Sequence, residues 1–149
     1  MLYICEFEFF DSGGYVDAVP LTFDGEGTFG DDLEDAVESA ADWLACVVDE
    51  HLMNGKDMPP MSFGHEPENG GRVIAVAVSR ELGDIPAMTA ADAARELGIS
   101  TARVAQLINA GKLESWKDGT KRMVSKASVD ARKRYDHKPG RPTRGATMA

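Results

Sequence analysis

The feature that most restricts the fold is a reversal of charge near residue 84. Residues 1–84 carry three basic and nineteen acidic side chains, a net charge of −16, whereas residues 85–149 carry thirteen basic and six acidic ones, a net charge of +7. A basic segment suits a phosphate backbone, and a strongly acidic one repels nucleic acid and favours a basic partner. The charges therefore predict two small domains that bind different partners.

The composition excludes several classes of protein. With 149 residues, 43% apolar and 28% charged, the chain has the balance of a globular protein and is too short for a large multidomain enzyme. No apolar run approaches the roughly 20 residues that cross a bilayer, and the N-terminus MLYICEFEFF carries acids where a signal peptide carries basic residues. We therefore expect a soluble, cytoplasmic protein with no membrane partner. Cys5 and Cys46 are too few for a disulfide framework or a zinc site and are expected to be small buried residues.

The acidic half begins with a predicted β-hairpin. Residues 2–10 alternate between two faces, as a half-exposed strand requires, and the glycines of residues 11–14 supply a tight turn. Residues 15–21 form a second strand stopped at Pro20, and a short third strand is predicted near residues 26–29. The two faces of the first strand are Tyr3, Cys5, Phe7 and Phe9 on one side, and Ile4, Glu6 and Glu8 on the other.

A long amphipathic helix follows. Asp31 and Glu34 have the spacing of a capping box, and Asn54-Gly55 ends the helix. After a Pro-, Gly- and Met-rich loop, residues 72–78 (RVIAVAV) are apolar on both faces and predict a buried strand. The predicted order is ββ(β)αβ. The apolar stripe of the helix is Leu33, Val37, Ala40, Leu44, Val47 or Val48, and Leu52.

Three stretches of this half resemble the HicB family of antitoxins. They are residues 13–16 (GGYV), residues 30–36 (GDDLEDA) leading into the long helix, and residues 58–60 (MPP) before the last strand. The resemblance covers about the first eighty residues and rests on the order and spacing of common elements. It implies a truncated RNase H-like fold without catalytic residues, which binds and silences a small HicA-type ribonuclease toxin.

Catalysis by the acidic half is a weaker hypothesis. A magnesium-dependent nuclease needs several converging carboxylates, but Glu6 and Glu8 share a face that is expected to be solvated, and Asp31 and Asp32 are explained by helix capping. A magnesium-dependent RNA cleavage that Glu6→Ala abolishes would support this hypothesis. We predict no catalytic residues and no metal site.

Two further patterns do not predict a ligand site. The glycines of residues 25–30 match G-x-G-x-x-G, but a pyrophosphate there would meet four acids and no nearby basic group. His51, His65 and His137 lack metal-ligand spacing, and the chain has no Gly-x-Ser-x-Gly motif to support a catalytic triad. We therefore expect no cofactor, and histidines that lie on the surface.

The basic half contains a predicted helix-turn-helix. Thr89 and Asp92 form a capping box that opens a helix, and Gly98 ends it. Ile99 fills the turn, and Ser100 caps a second helix over residues 101–109. Val104, Leu107 and Ile108 face inward in that helix. Its polar residues are Thr101, Arg103, Gln106 and Asn109.

A cationic hairpin strengthens this prediction. Residues 113–116 and 123–125 flank Asp118-Gly119, a strong hairpin turn sequence, and together with the helices they resemble the winged helix-turn-helix of the excisionase and MerR families over residues 88–132. That resemblance implies that the second helix enters the major groove and that the hairpin contacts the backbone or the minor groove. The predicted DNA-binding residues are Ser100, Thr101, Arg103, Gln106, Asn109, Lys117, Lys121 and Arg122. Arg103 and Gln106 suit base edges, whereas Ser100, Thr101 and the hairpin cations suit phosphates.

The end of the chain is basic. Residues 128–135 predict a short helix that carries Arg132, Lys133 and Arg134. Residues 138–144 resemble the Gly-Arg-Pro core of an AT-hook but lack its full flanking pattern, and we expect a disordered basic tail.

The sequence therefore predicts an α+β protein with a ββ(β)αβ truncated RNase H-like sheet domain (1–80), a linker (81–87), a winged helix-turn-helix domain (88–135) and a tail (136–149). The predicted function is a HicB-like antitoxin that inhibits a HicA-like ribonuclease toxin and binds double-stranded operator DNA to repress its own operon. Since one small helix-turn-helix rarely binds tightly alone, we expect a homodimer or higher oligomer, assembled through the sheet domain. The alternative is an orphan DNA-binding regulator whose acidic domain binds another partner or ligand.

Overall fold

The computed structural model describes residues 1–136, and the chain divides into two compact units at Asp84 and Ile85. The mixed α+β class is confirmed, with a sheet in the first unit and a helical region in the second. The predicted linker 81–87 contains a 3-10 turn, Leu82–Asp84, and ends at Ala87, which begins a strand of the second unit. Apart from Asp136, the predicted tail, including His137 and the AT-hook similarity, lies outside the described residues.

The first unit is an antiparallel sheet with one helix packed on it. Its elements are β1 (Leu2–Ser12), β2 (Tyr15–Pro20), β3 (Thr28–Gly30), α1 (Leu33–Met53) and β4 (Arg72–Ser79). The strand order is β3-β2-β1-β4, and each neighbouring pair is antiparallel. The predicted hairpin, the short third strand and the long helix are all present.

β4 lies at the edge of this sheet, where only Val76 of its eight residues is buried. The prediction of a buried strand at residues 72–78 is therefore wrong. One face of the strand packs toward α1 through Ile74, Val76 and Val78, while Ala75 and Ala77 on the other face are exposed. An apolar run on both faces did not require burial, because the exposed apolar residues of the outward face, Ala75 and Ala77, are small.

The core of the first unit lies between β1 and α1. Cys5, Phe7 and Phe9 are buried on the face that was predicted to be apolar. The buried residues of α1 are Ala36, Ala40, Leu44 and Val48. Leu33, the first residue of the predicted stripe, is exposed. Two aromatic contacts complete the core, since the Trp43 ring meets the edge of Phe7 and stacks with Phe23.

The start of α1 is capped one residue later than predicted. The Asp32 carboxylate, and not that of Asp31, accepts the backbone N–H of Asp35 at 2.8 Å. In return the Asp35 carboxylate accepts the backbone N–H of Asp31 at 2.8 Å. The two aspartates therefore share the reciprocal role that the sequence assigned to Asp31 and Glu34.

Both glutamates of β1 are buried, so the prediction of a solvated face is wrong. Glu6 is 6% exposed and Glu8 is 0% exposed, because the loop between α1 and β4 covers them. The Glu8 carboxylate accepts the backbone N–H groups of Glu68, Asn69 and Gly71 at 2.8 to 3.0 Å, and the Asn69 side-chain amide at 3.1 Å. Burial disfavours the charged form of Glu8, but these donors outweigh it and hold its pKa below the ordinary value of 4.5.

The prediction that the histidines lie on the surface is corrected for His51 and His65, which are both half-buried. The Nδ1 of His65 lies 3.2 Å from the Glu6 carboxylate while its Nε2 lies 3.2 Å from the Ser62 hydroxyl. The ring therefore ties the loop between α1 and β4 to β1. One cysteine also differs from its prediction, since Cys46 is exposed, whereas Cys5 is buried and burial raises the pKa of its thiol.

The second unit combines three helices with a small sheet. Its elements are β5 (Ala87–Thr89), α2 (Ala90–Leu97), α3 (Thr101–Asn109), β6 (Ser115–Asp118), β7 (Lys121–Ser125) and α4 (Lys126–Asp136). The strand order is β5-β7-β6, with antiparallel pairing throughout. β5 was not predicted, because three residues are too few to show a strand pattern. The core of this unit is Ala93, Ala94, Val104, Leu107, Leu113, Val124 and Val129.

Candidate nucleic-acid interface

Two short helices and the turn between them form the centre of the candidate interface. The Thr89 hydroxyl caps α2 by accepting the backbone N–H of Asp92 at 3.2 Å. Gly98 ends α2 with φ 65° and ψ 35°, a left-handed conformation that favours glycine. The N–H of Ile99 then donates to Ala94 and that of Gly98 to Arg95, the pattern of a Schellman motif. Three residues, 98–100, therefore join the two helices, as the sequence predicted.

The helix after the turn presents one face to the core and one to solvent. Val104 and Leu107 are buried, and Ile108 packs beside them. Four predicted DNA-binding residues lie on the exposed face: Thr101, Arg103, Gln106 and Asn109. α3 therefore offers a polar surface that is free of large apolar side chains. Ala102 and Ala105, which are also exposed, leave room for close approach by another molecule.

Two of these polar side chains already interact with each other. The Arg103 guanidinium donates to the Gln106 side-chain oxygen at 3.1 Å, across one turn of α3. Both residues can reach base edges with two hydrogen-bonding atoms each, and their mutual contact orients them along the same side of the helix.

Ser100 has a structural role in the position where we predicted a DNA contact. Its hydroxyl accepts the backbone N–H of Arg103 at 3.1 Å and so caps α3. An N-cap hydroxyl stabilises a protein by about 1 kcal/mol. The hydroxyl can still donate its own proton to a phosphate, which is compatible with the predicted contact.

The strands β6 and β7 form a cationic hairpin. Its two-residue turn is Gly119-Thr120, one residue later than predicted, since Asp118 pairs with Lys121. Gly119 has φ 63° at the first turn position, where a type II′ turn favours glycine. Lys117 and Arg122 face each other across the ladder, and with Lys121 they are exposed. The hairpin therefore carries three positive charges near its end.

Cations of the second unit differ in whether a carboxylate lies close to them. Arg95 pairs with Asp92, Lys126 with Asp130 and Lys133 with Glu96, and hydrogen bonds from the basic partners lower the pKa of both aspartates. In contrast, no carboxylate of the described residues lies within ion-pair distance of the four cations predicted to bind DNA: Arg103, Lys117, Lys121 and Arg122. Charges without acidic partners are the ones available to phosphates.

One further cation, Lys112, was not among the predicted DNA-binding residues. Lys112 is exposed directly after α3, in the short connection to β6. Its position between the two predicted binding elements makes it a further candidate for a phosphate contact. Both its charge and its place between the second helix and the hairpin were visible in the sequence.

Comparison with known families supports this geometry. A family model described as a helix-turn-helix domain matches residues 87–134, which runs from β5 into α4. This segment is a helix-turn-helix domain. No curated protein and no solved structure matches the chain.

Residues 1–136 also bear on two other features, a membrane-spanning helix and a metal site. No helix in this part combines the length and the apolar character that crossing a bilayer requires. Within the same residues, no group of three or more histidine, cysteine, aspartate or glutamate side chains is placed to hold a metal ion.

Proposed function

We propose that this protein is a DNA-binding transcriptional regulator in which α3 enters the major groove and the β6–β7 hairpin acts as a wing. The observation that carries the proposal is the exposed polar face of α3, on which the Arg103 guanidinium contacts the Gln106 side chain and has no acidic partner in the described residues. Arg103 and Gln106 would contact base edges. Thr101, Asn109 and the hairpin cations would contact the backbone and fix the position of α3.

We further propose that the acidic unit binds a basic protein, as the resemblance to HicB antitoxins implies. Its net charge of −16 favours such a partner electrostatically. It also exposes an aromatic pair, Tyr15 at 51% and Phe29 at 58%, whose rings meet edge to face with centroids 5.6 Å apart. Exposed aromatic side chains are frequent anchors of protein interfaces. A small basic ribonuclease toxin fits these properties, and the chain would then be an antitoxin that represses its own operon.

The DNA-binding part is tested by selecting binding sites from random duplexes with the full chain and then measuring affinity by fluorescence anisotropy. We expect Arg103→Ala to reduce the binding free energy for the selected site by about 1–3 kcal/mol. The variant should also discriminate less between bases at one or two positions of that site. Lys121→Ala should weaken binding to selected and unselected duplexes equally. It should also reduce the magnitude of the slope of log K against the logarithm of the salt concentration by about 1. Lys56→Ala, an exposed lysine of the acidic unit, is the control. Unchanged affinity in both variants would refute the assignment of α3 and the hairpin.

The antitoxin part is tested by purifying the tagged full chain from its native host and identifying any protein that stays bound at moderate salt. We expect a small basic protein that is bound in a fixed ratio to the chain. This protein should degrade RNA once it is separated from the chain, and the degradation should stop when the chain is added back. Tyr15→Ala with Phe29→Ala should weaken this complex, whereas Phe63→Ala, an equally exposed aromatic at 62%, should not. Recovery of DNA alone would support the orphan regulator.

A further inference from the structure

We infer that the β4 edge pairs with β4 of a second copy of this chain, so that the sheets of two copies become continuous. This inference rests on the proposed function in one respect, because a helix-turn-helix regulator commonly needs two copies to contact two half-sites. The residues involved all belong to the first unit, and β4 would be the surface through which the predicted dimer forms.

β4 has one side of its backbone available for pairing. Along a strand the backbone groups alternate in direction, and the N–H of Arg80 donates to the carbonyl of Met1 at 3.0 Å, toward β1. Val78, Val76 and Ile74 therefore also direct their backbone groups to β1. The N–H and C=O groups that point away from the sheet belong to Val73, Ala75, Ala77 and Ser79.

This edge lacks the features that usually prevent pairing. Proteins protect edge strands with charges, prolines, bulges or short length. β4 is eight residues long and pairs with β1 in unbroken register. Its one charged residue is Arg72 at its start, and the other seven residues, 73–79, contain no charged residue, proline or glycine. The opposite edge, β3, has only three residues. β4 is consequently the one long, unprotected edge of this sheet among the described residues.

Charge favours a second copy over a basic partner at this edge. Residues 73–79 are neutral, so a basic protein gains nothing there and would be drawn to the acidic surface elsewhere. Asp49, which lies beside the end of β4, is already neutralised by two hydrogen bonds from Arg80 at 2.6 and 2.8 Å. Two units of charge −16 repel each other, and an uncharged strip is where two such units can meet closely.

The strand is also complementary to itself. If Ala75 of one copy pairs with Ala77 of the other, Val73 pairs with Ser79, and all four outward residues find partners in an antiparallel ladder. Each such pair exchanges two hydrogen bonds, about eight in all. The exposed side chains at the centre would be alanines, which allow close approach across the two-fold axis.

The test is the mass of the full chain by light scattering and sedimentation over a range of concentrations. We expect a species of twice 16.1 kDa. Ala75→Pro removes an outward N–H without touching the ladder to β1, and it should raise the dissociation constant about ten- to a hundredfold. Ala75→Thr keeps that N–H and should remain dimeric. Ala75→Lys is a second disruptive variant, because it places two like charges near the two-fold axis. Circular dichroism is the control that each variant folds.

Hydrogen exchange followed by NMR locates the interface. The amides of Ala75 and Ala77 should be protected at high concentration and exchange freely on dilution, whereas the amide of Val76 should be protected in both conditions. Raising salt from about 0.05 to about 0.3 M should tighten the dimer, because it screens the acidic units, while it weakens DNA binding.

Two results would overturn the inference. One is a chain that stays monomeric at every concentration, and the other is a dimer that survives Ala75→Pro and leaves Ala75 and Ala77 unprotected. Neither result depends on DNA or on a toxin. A monomer that still binds a selected duplex would refute this interface while leaving the proposed function intact.

Discussion

The buried carboxylate of Glu8 should be a major source of stability in the first unit. Glu8→Gln keeps the size of the side chain but replaces one acceptor oxygen with an amide group. In the better of its two orientations, the glutamine leaves the N–H of Gly71 without an acceptor and weakens the remaining bonds by removing the charge. An unsatisfied buried donor costs about 1–3 kcal/mol, and the lost charge adds to this. We therefore expect the free energy of unfolding to fall by about 2–4 kcal/mol.

The assay is urea unfolding followed by fluorescence in a Trp116→Phe background, where Trp43 is the remaining tryptophan and packs against the core of the first unit. Glu68→Gln is the matched control, because the Glu68 side chain is exposed and only its backbone contacts Glu8. The control should change stability by less than about 0.5 kcal/mol. Equal effects of the two substitutions would refute the account of the Glu8 site.

The same site predicts a dependence on pH. The pKa of Glu8 is lowered on folding, so the ionised carboxylate stabilises the folded state. This contribution to the free energy of unfolding is complete above the ordinary pKa of 4.5 and is lost as the pH falls through the folded-state pKa. The parent protein should therefore lose more stability below pH 4.5 than Glu8→Gln does. Parallel acid profiles for the two proteins would contradict the direction of the pKa shift.

Two local features give further predictions. Asp32→Ala should lower the stability of the first unit by about 1 kcal/mol through loss of the α1 cap, whereas Asp31→Ala should change it by less than about 0.5 kcal/mol, as measured by urea unfolding at Trp43. A larger loss of stability in Asp31→Ala than in Asp32→Ala would show that Asp31 caps α1, as the sequence predicted. Gly98→Ala should destabilise the helix-turn-helix domain by about 1–2 kcal/mol, because alanine is strained in the left-handed conformation, and thermal unfolding followed at Trp116 measures this. An unchanged melting temperature would show that the turn does not need that conformation.

The helix-turn-helix could be predicted from the sequence because its determinants are local. The caps Thr89 and Ser100 act on amides three residues away, and Gly98 acts on the turn that contains it. Such contacts depend on neighbours in the chain and so leave a pattern that can be recognised. The hairpin turn was predicted within one residue for the same reason, whereas the three-residue strand β5 left no pattern of its own.

The features that the sequence could not determine depend on residues far apart in the chain. Glu8 accepts the amide of Asn69, sixty-one residues away, and its face looked solvated because alternation along a strand does not reveal what a distant loop covers.

The two-part division, most elements and the polar face of α3 could be predicted, since charge, periodicity and capping are properties of short segments. The burial of Glu6 and Glu8 and the position of β4 at an edge depend on how the folded chain packs. Strand order and loop path arise from packing, and no local pattern encodes them.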